Sequence, residues 1–374
     1  MLAPLTQLTA LQAEIGDYDD DEDEMPAHTR PPLPAVLAHF TGLRRLSATL
    51  GFRPPSAVQL RSLLSPLTQL TTLKLAALSG GSCRLPALPR LQCLEVRGGV
   101  AAGGLARIAA ACTALTSLRV HDCITTGTAD AAARLPALRS LEVFGSEDCD
   151  LAISPRDFSL AACCPGLTSL VVHENPSAQR LKGLTQLRSL KVVGPLHVDT
   201  AQWSALAALP ALQAFDTYFA SMPWGSDPMH ACVSFLCAQL TELRLFFPVQ
   251  ASQYDRCAEW AAAMRRSRVQ VFEFGVPHVN AAWQPSPPEL PTPFFEQLAS
   301  WSCLTSVEVR FGCTGEQLSV LCASPTIVRV ALRQSRLPHQ LNERGEAADG
   351  AVVTNYVQQL MDTHRAKDLE IYVT

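Results

Sequence analysis

The sequence predicts an α/β solenoid, in which short parallel strands stack in chain order and the segments between them return along the other side. Two observations predict this fold class. A leucine-rich phrase recurs along the chain, as LTQLTAL from Leu5, LTQLTTLKL from Leu67 and LTQLRSLKV from Leu184. Apolar residues make up 48% of the 374 residues and aromatic residues only 6%, which predicts a large core of aliphatic side chains.

The repeat follows the template L-x-x-L-x-x-L-x-L and covers nearly the whole chain. Its third leucine position falls at Leu11, Leu46, Leu73, Leu94, Leu118, Leu141, Leu170, Leu190, Phe215, Leu243, Phe272, Val307, Val330 and Leu369. These fourteen positions are 20 to 39 residues apart, and most gaps lie between 20 and 29 residues. In phrase and in period, the chain resembles the leucine-rich repeat family.

The resemblance implies a curved horseshoe, with a parallel concave β-sheet of about 13–14 strands and with helices or extended segments on the convex side. The physical basis is visible in LTTLKLAAL, where Leu73 and Leu75 point to one face of a strand and Lys74 points to the other. One unit cannot bury its leucines alone. Neighbouring units must therefore repeat the pattern and share a continuous core.

Three units carry a cysteine three residues before a leucine, at Cys112, Cys164 and Cys237. This pattern resembles the cysteine-containing repeat class of F-box proteins. Cys123 and Asn175 occupy the position of the family's side-chain ladder, but most other units have Ser, Gly or Pro there, so the sequence departs from a regular repeat. We expect the cysteines at template positions to face the core, where cysteine behaves as a small hydrophobic residue.

Several return segments carry helix signals, namely a capping residue, an N-terminal proline or an apolar stripe. These segments span residues 154–158, 227–237, 254–264, 292–301 and 351–361. A helix is also expected from Leu105, after a glycine-rich turn. The gaps of 20 and 21 residues leave little room for a helix, so extended returns are expected there.

We expect one solenoid domain over residues 1–374, interrupted by two irregular segments. Residues 14–34 combine the acidic run DYDDDEDE with RPPLP, and like charges this dense predict a disordered insertion. An acidic tail that docks on a basic partner is the alternative.

Residues 284–293 are expected to form a proline-rich loop or a proline-rich ligand. Neither end carries a capping module, which predicts a longer gene product or a partner that covers an end.

Charge and composition argue against several protein classes. The net charge is −4, from 30 basic and 34 acidic residues, without the clustered basic face of a nucleic-acid-binding protein. No apolar run reaches the length of a membrane span, and the N-terminus lacks the regions of a signal peptide. The 13 cysteines, an odd number without paired spacing, predict a reduced intracellular, cytoplasmic protein. The resemblance also allows a place in a cilium axoneme or the cytoskeleton.

Motifs for catalysis and metal binding are missing from the sequence. It contains no P-loop, H-E-x-x-H, G-x-S-x-G or C-x-x-C. His121 and His173 recur at one template position, but no nucleophile accompanies them. The sequence therefore predicts a protein that is not an enzyme, with no catalytic or metal-binding residue, no cofactor and no small-molecule substrate.

The residue after each third leucine points away from the core and belongs to a row across neighbouring strands. In units three to twelve the row reads Lys74, Glu95, Arg119, Glu142, Val171, Lys191, Asp216, Arg244, Glu273 and Glu308. The charges alternate in sign almost throughout, and strands lie about 4.8 Å apart, so opposite charges can pair along the row. The row is then either a self-satisfied ladder that stabilises the sheet or a polar recognition surface.

Two residues further along each strand, a second row carries large side chains that suit a protein interface. Its aromatic residues are predicted to be exposed unless they close the core at the rim, and Arg97 and Arg310 are predicted to be unpaired charges. Aromatic and arginine side chains dominate protein interfaces. The candidate protein-binding residues are Arg97, His121, Phe144, His173, Tyr218, Phe246 and Arg310.

Together these features predict a non-enzymatic scaffold that binds a protein partner on its concave face. Two narrower roles follow from the resemblance. One is the substrate-recognition part of an F-box-type ubiquitin ligase receptor that lacks its F-box. The other is a structural component of a cytoskeletal or ciliary axoneme assembly. Neither nucleic acid, nor a membrane, nor a small molecule is expected as a partner.

Overall fold

Short parallel strands recur along the chain and follow one another in sequence order. The computed structural model describes residues 7–15, 40–50, 57–76, 85–97, 104–121, 135–144, 160–172, 181–196, 200–219, 239–246, 257–275, 290–310, 313–332 and 370–373. The chain divides into a first unit, Met1–Leu187, and a second unit, Arg188–Thr374. Each unit has its own strands and its own core.

Each unit contains seven of the strands found in the described residues. The first unit has β1 (Ala10–Ile15), β2 (Arg45–Leu50), α1 (Ala57–Leu64), β3 (Thr72–Ala76), β4 (Cys93–Arg97), α2 (Gly104–Ala111), β5 (Ser117–His121), β6 (Ser140–Phe144), α3 (Leu160–Cys163) and β7 (Ser169–Val172). The second has β8 (Ser189–Leu196), α4 (Thr200–Ala207), β9 (Ala214–Phe219), β10 (Glu242–Phe246), α5 (Cys257–Ala263) with a 3₁₀ turn (Met264–Arg266), β11 (Val271–Gly275), α6 (Thr292–Ala299), β12 (Ser306–Arg310), α7 (Gly315–Ala323), β13 (Arg329–Leu332) and β14 (Glu370–Val373).

Within each unit every strand pairs in parallel with the next strand along the chain. Each unit is thus an α/β leucine-rich repeat solenoid, as predicted. The third leucine positions lie opposite one another, for example Leu118 opposite Leu141 and Leu141 opposite Leu170. This register confirms the alignment as far as Val330.

The alignment of the last unit was wrong by two residues. Val330 lies opposite Ile371, so Ile371 and not Leu369 occupies the template position. A shift of two residues keeps every side chain on the same face of a strand, so the alternation of apolar and polar residues does not detect it. Only the pairing with β13 fixes the register.

Aliphatic side chains fill the core of the first unit. Leu118 and Leu170 are 1% exposed and Leu141 is 5% exposed. Cys112 and Cys164 are buried among them, which confirms their predicted position, whereas Cys123 and Cys237 lie outside the described residues. Cysteine therefore acts here as a small apolar residue that fits between a return segment and the strands.

The core of the second unit combines aliphatic side chains with a cluster of aromatic rings, which the prediction of an aliphatic core did not include. Its buried rings belong to Phe215, Trp260, Phe272, Phe274, Phe294, Phe295 and Trp301. The Trp260 and Phe272 ring centroids are 5.8 Å apart, and those of Phe272 and Trp301 are 5.3 Å apart. The indole nitrogen of Trp301 donates to the Ala261 carbonyl at 2.9 Å. The low aromatic fraction of the whole chain hid this local concentration.

The predicted helices that fall in described residues are confirmed. Helices α2, α5 and α6 occupy the expected return segments, and Cys257, Ala261 and Met264 form the buried stripe predicted around α5. Helix α6 begins at Thr292 with a proline in its first turn, and no side chain caps it. The helices expected over 154–158, 227–237 and 351–361 lie outside the described residues. No described helix is both long and apolar enough to cross a bilayer.

The two irregular segments lie mostly outside the described residues. Of the insertion predicted over 14–34, the first two residues belong to β1, where Glu14 pairs with Thr49 and Ile15 with Leu50. Of the loop predicted over 284–293, residues 292 and 293 form the first turn of α6. Residues 16–34 and 284–289 are not described, so their predicted character stays a prediction.

We expect Leu141→Ala to lower the free energy of unfolding by about 2–5 kcal/mol, because it leaves a cavity between two neighbouring units. Denaturant unfolding followed by circular dichroism measures this loss. The matched control is Val58→Ala on α1, where the side chain is 78% exposed and the change should stay within about 0.5 kcal/mol. Equal unfolding midpoints for Leu141→Ala and the parent would reject the alignment.

Candidate protein-binding face

The predicted row of charges forms an ion-pair ladder on the side of the strands that points away from the core. We call this side the ladder face. In the first unit, Lys74, Glu95, Arg119 and Glu142 are successive partners in the strand register. Lys74 Nζ lies 3.1 Å and Arg119 Nη1 lies 3.8 Å from Glu95 Oε2. Arg119 also pairs through Nε with Glu142. The predicted pairing along the row is thereby confirmed.

Arg97 was predicted to be unpaired, and that prediction was wrong. Its Nε donates to Glu95 Oε1 at 3.2 Å, from two residues further along β4. A side chain at position i+2 lies on the same face of a strand, so Arg97 reaches back to the carboxylate of its own strand. Glu95 therefore has three cations around it, on three neighbouring strands.

Glu95 is buried, and burial alone would raise the pKa of its carboxyl group. The hydrogen bond and positive charge of Lys74, together with Arg97 and Arg119, outweigh burial, so the pKa of Glu95 lies below its ordinary value. His121 Nε2 lies 3.6 Å from Glu95 Oε1. Burial, and then the charge of Arg97, nevertheless lower the pKa of His121. This histidine is therefore neutral at pH 7.

The second unit has its own ladder, with a different centre. Lys191 Nζ lies 2.7 Å from Asp216 Oδ2, and Arg244 Nε lies 3.3 Å from Glu273 Oε2. Glu273 and Glu308 are adjacent in the register and carry the same charge, which interrupts the alternation of signs. Two carboxylates side by side would repel each other without a cation between them.

Arg310 supplies that cation, so the prediction that it is unpaired was also wrong. Its Nη2 pairs with Glu273 and lies 3.0 Å from Glu308 Oε1, and its Nε donates to the same Glu308 oxygen at 3.1 Å. The guanidinium carbon lies 5.2 Å from the centroid of the Phe246 ring. This distance is within the range of a cation–π contact. Arg310 thus reaches from β12 across β11 to β10.

Gly275 makes this reach possible. It lies between Phe246 and Arg310 in the strand register. A Cβ atom on Gly275 would approach the Arg310 Cβ to 2.2 Å and its Cα to 3.1 Å. No side chain tolerates such contacts, so only glycine leaves room for the arginine to lie across the strand.

Glu273 is the most buried carboxylate on the ladder among the described residues. Burial raises the pKa of Glu273 above its ordinary value; the positive charges of Arg310 and Arg244 oppose this change, and the negative charge of Glu308 adds to it. Glu95 and Glu273 are therefore two buried glutamates at the same template position whose pKa values are displaced in opposite directions.

The candidate binding residues are brought together only in part. Phe246 lies opposite Tyr218 and is half-buried beneath Arg310 rather than exposed. Phe144 lies opposite His121. The side chains of Phe144 and Tyr218, and the whole of His173, lie outside what the structure describes. Whether the seven candidates bind a protein stays a prediction.

The pairing of β8 with β9 is irregular next to Tyr218. An irregularity in β8 places Pro195, and not Val193, opposite Tyr218, because two residues bulge out of the pairing after Val192. The bulge shifts the strand register at this end of β8.

Among the described residues, no group of three or more His, Cys, Asp or Glu side chains is arranged to hold a metal ion. Burial raises the pKa of the Cys164 thiol to about 12, and neighbouring Cys163 adds to the effect. Burial likewise raises the pKa of Cys313 to about 12. A thiol with such a pKa stays protonated at pH 7 and is a poor nucleophile.

Sequence reasoning missed the role of Gly275. The available signal was a glycine in a strand pattern, VFEFG, at a position where other units carry a side chain. It also missed that Glu95 and Glu273 each pair with several cationic side chains. Pairing within one strand at positions i and i+2 places Arg97 beside Glu95 and Arg310 beside Glu308, and the alternation of charges between strands does not show it.

The solved structures that are similar to this chain include the following two. LegL7, a leucine-rich repeat-containing protein from Legionella pneumophila, is 14% identical; the match covers 94% of this chain and 98% of that one, with a TM-score of 0.47. A TLR13–ssRNA13 complex is 16% identical; the match covers 81% of this chain but 44% of that one, with a TM-score of 0.43. No protein-family model and no curated protein matches the chain. The fold assignment therefore rests on the strand register of this chain.

We expect Gly275→Ala to lower the free energy of unfolding by about 1–3 kcal/mol, because the new methyl group overlaps Arg310. A double-mutant cycle checks the cause. Arg310→Gly removes the Cβ that the methyl group would meet, so Gly275→Ala should cost less in that background. Arg310→Ala keeps the Cβ and should not relieve the cost. If both backgrounds give the same cost, the overlap is not its source.

We expect Glu95→Gln and Glu273→Gln to change the pH dependence of stability in opposite ways. The pKa of Glu95 is lowered in the folded state, so this carboxylate stabilises the fold above the unfolded pKa of about 4.3. That contribution is lost as the pH falls through the folded pKa. The pKa of Glu273 is raised, so its ionisation costs stability as the pH rises from about 4.3 through the folded value.

Denaturant unfolding measured from pH 3 to pH 7 separates the two glutamates. The stability difference between the parent and Glu95→Gln should shrink below about pH 4.3. As the pH rises above that value, the parent should instead lose stability relative to Glu273→Gln. Parallel curves for the two variants would contradict the opposite pKa displacements.

Proposed function

We propose that this protein is a non-enzymatic scaffold that binds a protein partner on its ladder face. The observation that carries the proposal is the fixed arrangement of the charged side chains there. Lys74, Arg97 and Arg119 are tied to Glu95, and Arg244 and Arg310 are tied to Glu273. Side chains that are already ordered cost less entropy when a partner binds. A fixed pattern of donors therefore supports recognition.

The chemistry of the described residues also favours binding over catalysis. The buried thiols are protonated, the histidine beside Glu95 is neutral, and no described group is arranged for a metal ion. A scaffold needs a shaped and ordered surface, whereas an enzyme needs a nucleophile, an acid–base pair or a metal at a cleft. The ordered charged side chains of the ladder face support the first of these.

In the second unit, Phe246 and Arg310 form the best candidate anchor. The half-buried Phe246 ring is held against the Arg310 guanidinium, which lies 5.2 Å from its centroid, and Tyr218 is the next residue in the row. Aromatic and arginine side chains are enriched among the residues that contribute most to interface affinity. The cation–π contact with Phe246 also holds the guanidinium in place for a partner.

The narrower roles suggested by the resemblance have less support. Cys112 and Cys164, which suggested an F-box-type receptor, are buried where a small apolar side chain fits, so packing accounts for them. No observation on the described residues favours a ubiquitin ligase or an axoneme assembly over another partner. The proposal therefore stops at partner binding on the ladder face.

We expect the double variant Tyr218→Ala and Phe246→Ala to keep its fold and to lose partner affinity, by about 2 kcal/mol or more for each anchor. Affinity capture from the native cell, quantified by mass spectrometry, compares the parent, the double variant and Arg265→Ala. Arg265 is exposed on the 3₁₀ turn after α5, away from the strands. A protein captured by the parent and by Arg265→Ala but not by the double variant supports the proposal.

The opposite result would show another binding surface. If the double variant retains every protein that the parent captures, the row from Tyr218 to Phe246 is not the site. If Arg265→Ala loses the same proteins, the return side of the second unit is involved. Circular dichroism and thermal unfolding of each variant exclude loss of fold as the cause.

A further inference from the structure

On the ladder face of the first unit, the cationic side chains are more exposed to solvent than the carboxylates. In the first unit the cationic side chains are 44–60% exposed, whereas the carboxylates are only 8% exposed at Glu95 and 18% exposed at Glu142. Lysine and arginine are long enough to cover a shorter carboxylate and still reach water with their charged ends. A partner that approaches this face therefore meets ammonium and guanidinium groups first.

The first unit also has more cations than carboxylates at this place. We call Lys74, Glu95, Arg97, Arg119 and Glu142 the Glu95 cluster. Its three cations and two carboxylates give a formal charge of +1. The neighbouring histidine adds no charge at pH 7. The positive charge lies outside, and the negative charge lies beneath it.

The ladder of the second unit is balanced in comparison. Its cations Lys191, Arg244 and Arg310 face the carboxylates of Asp216, Glu273 and Glu308, which gives a formal charge of zero. Arg310 is only 13% exposed, because it lies across the strands over its partners. Among the described ladder residues, only the first unit therefore has more cations than carboxylates, because Arg97 adds a cation to a row that is otherwise balanced.

We propose that the Glu95 cluster binds an acidic protein segment, a short stretch of aspartate and glutamate side chains whose carboxylates contact Lys74, Arg97 and Arg119. The inference rests on the proposed function and adds the chemistry of the partner. The bond from Arg97 Nε to Glu95 orients the guanidinium plane, and a guanidinium held in this way pairs well with a carboxylate. Lys74 and Arg119 flank it from the neighbouring strands.

An acidic protein segment fits the cluster better than a nucleic acid does. Binding to a phosphate backbone requires a track of cations, and single-stranded nucleic acids also need aromatic platforms for their bases. The described side chains of β3, β4 and β5 include no Phe, Tyr or Trp. The two carboxylates beneath the cations also keep the excess charge small, which suits a few carboxylates rather than a dense row of phosphates.

The test uses the full chain and a fluorescein-labelled eight-residue peptide of alternating Asp and Glu, with fluorescence anisotropy as the readout. A peptide of Asn and Gln in the same order is the reference ligand. The acidic peptide should bind, the amide peptide should bind at least about fivefold more weakly, and added salt should weaken the acidic peptide further. Lys74→Gln with Arg97→Gln should weaken it by at least about fivefold.

The matched control is Arg244→Gln. Arg244 occupies the same template position as Arg119, has the same 44% exposure and, like Arg119, pairs with a buried glutamate. Its loss should change acidic-peptide binding by less than about twofold. In each variant another cation remains on the buried glutamate, Arg119 on Glu95 and Arg310 on Glu273. Thermal unfolding confirms that the folds are intact.

Several results would overturn the inference. They are equal weakening by Arg244→Gln, equal binding of both peptides, or tighter binding of an oligouridylate that the Lys74 and Arg97 changes abolish. Higher peptide affinity after the seven acids of Asp17–Glu24 are replaced by amides would assign the cluster to the chain itself. If no acidic peptide binds but cellular capture still depends on Phe246, the inference fails and the proposed function stands.

Discussion

In-register parallel stacking is the constraint on which the rest of this structure depends. A single repeat cannot bury its own leucines, so each strand must lie beside the next with the same template position opposite itself. The register from Leu118 to Leu141 to Leu170 shows this arrangement. Because strands lie about 4.8 Å apart, every template position becomes a row of near neighbours. The core is one such row, and the ladder face is another.

The same constraint explains why each charge on the ladder face needs an opposite charge beside it. A row of side chains at this spacing forces each charge to face a neighbour, and like charges side by side are unfavourable. The first unit meets the requirement by alternation, with Lys74, Glu95, Arg119 and Glu142 in turn. A ladder that pairs its own charges is therefore compatible with the proposed role of this face in recognition. The carboxylates are satisfied below while the cations that satisfy them remain in contact with water.

The second unit meets the requirement differently. Glu273 and Glu308 interrupt the alternation of charges. Arg310, two residues after Glu308 on the same strand, pairs with both carboxylates. Arg310 can lie across the strand because Gly275 has no side chain there. The result is an ion cluster around the buried Glu273, with the Arg310 guanidinium in contact with the Phe246 ring. Two units built on one template have thus acquired faces with different exposed charge.

The sequence by itself determined the repeat, the strands, the buried leucines and the alternating charge row, because these depend on the period of the chain and on the alternation of strand faces. Only the tertiary structure decided the register of the last strand, since a two-residue shift leaves the alternation unchanged. It also decided the partners of Arg97 and Arg310 and the extent to which each charge is covered. A long flexible side chain selects its partner from several neighbours by distance in space, and the linear pattern does not contain that distance.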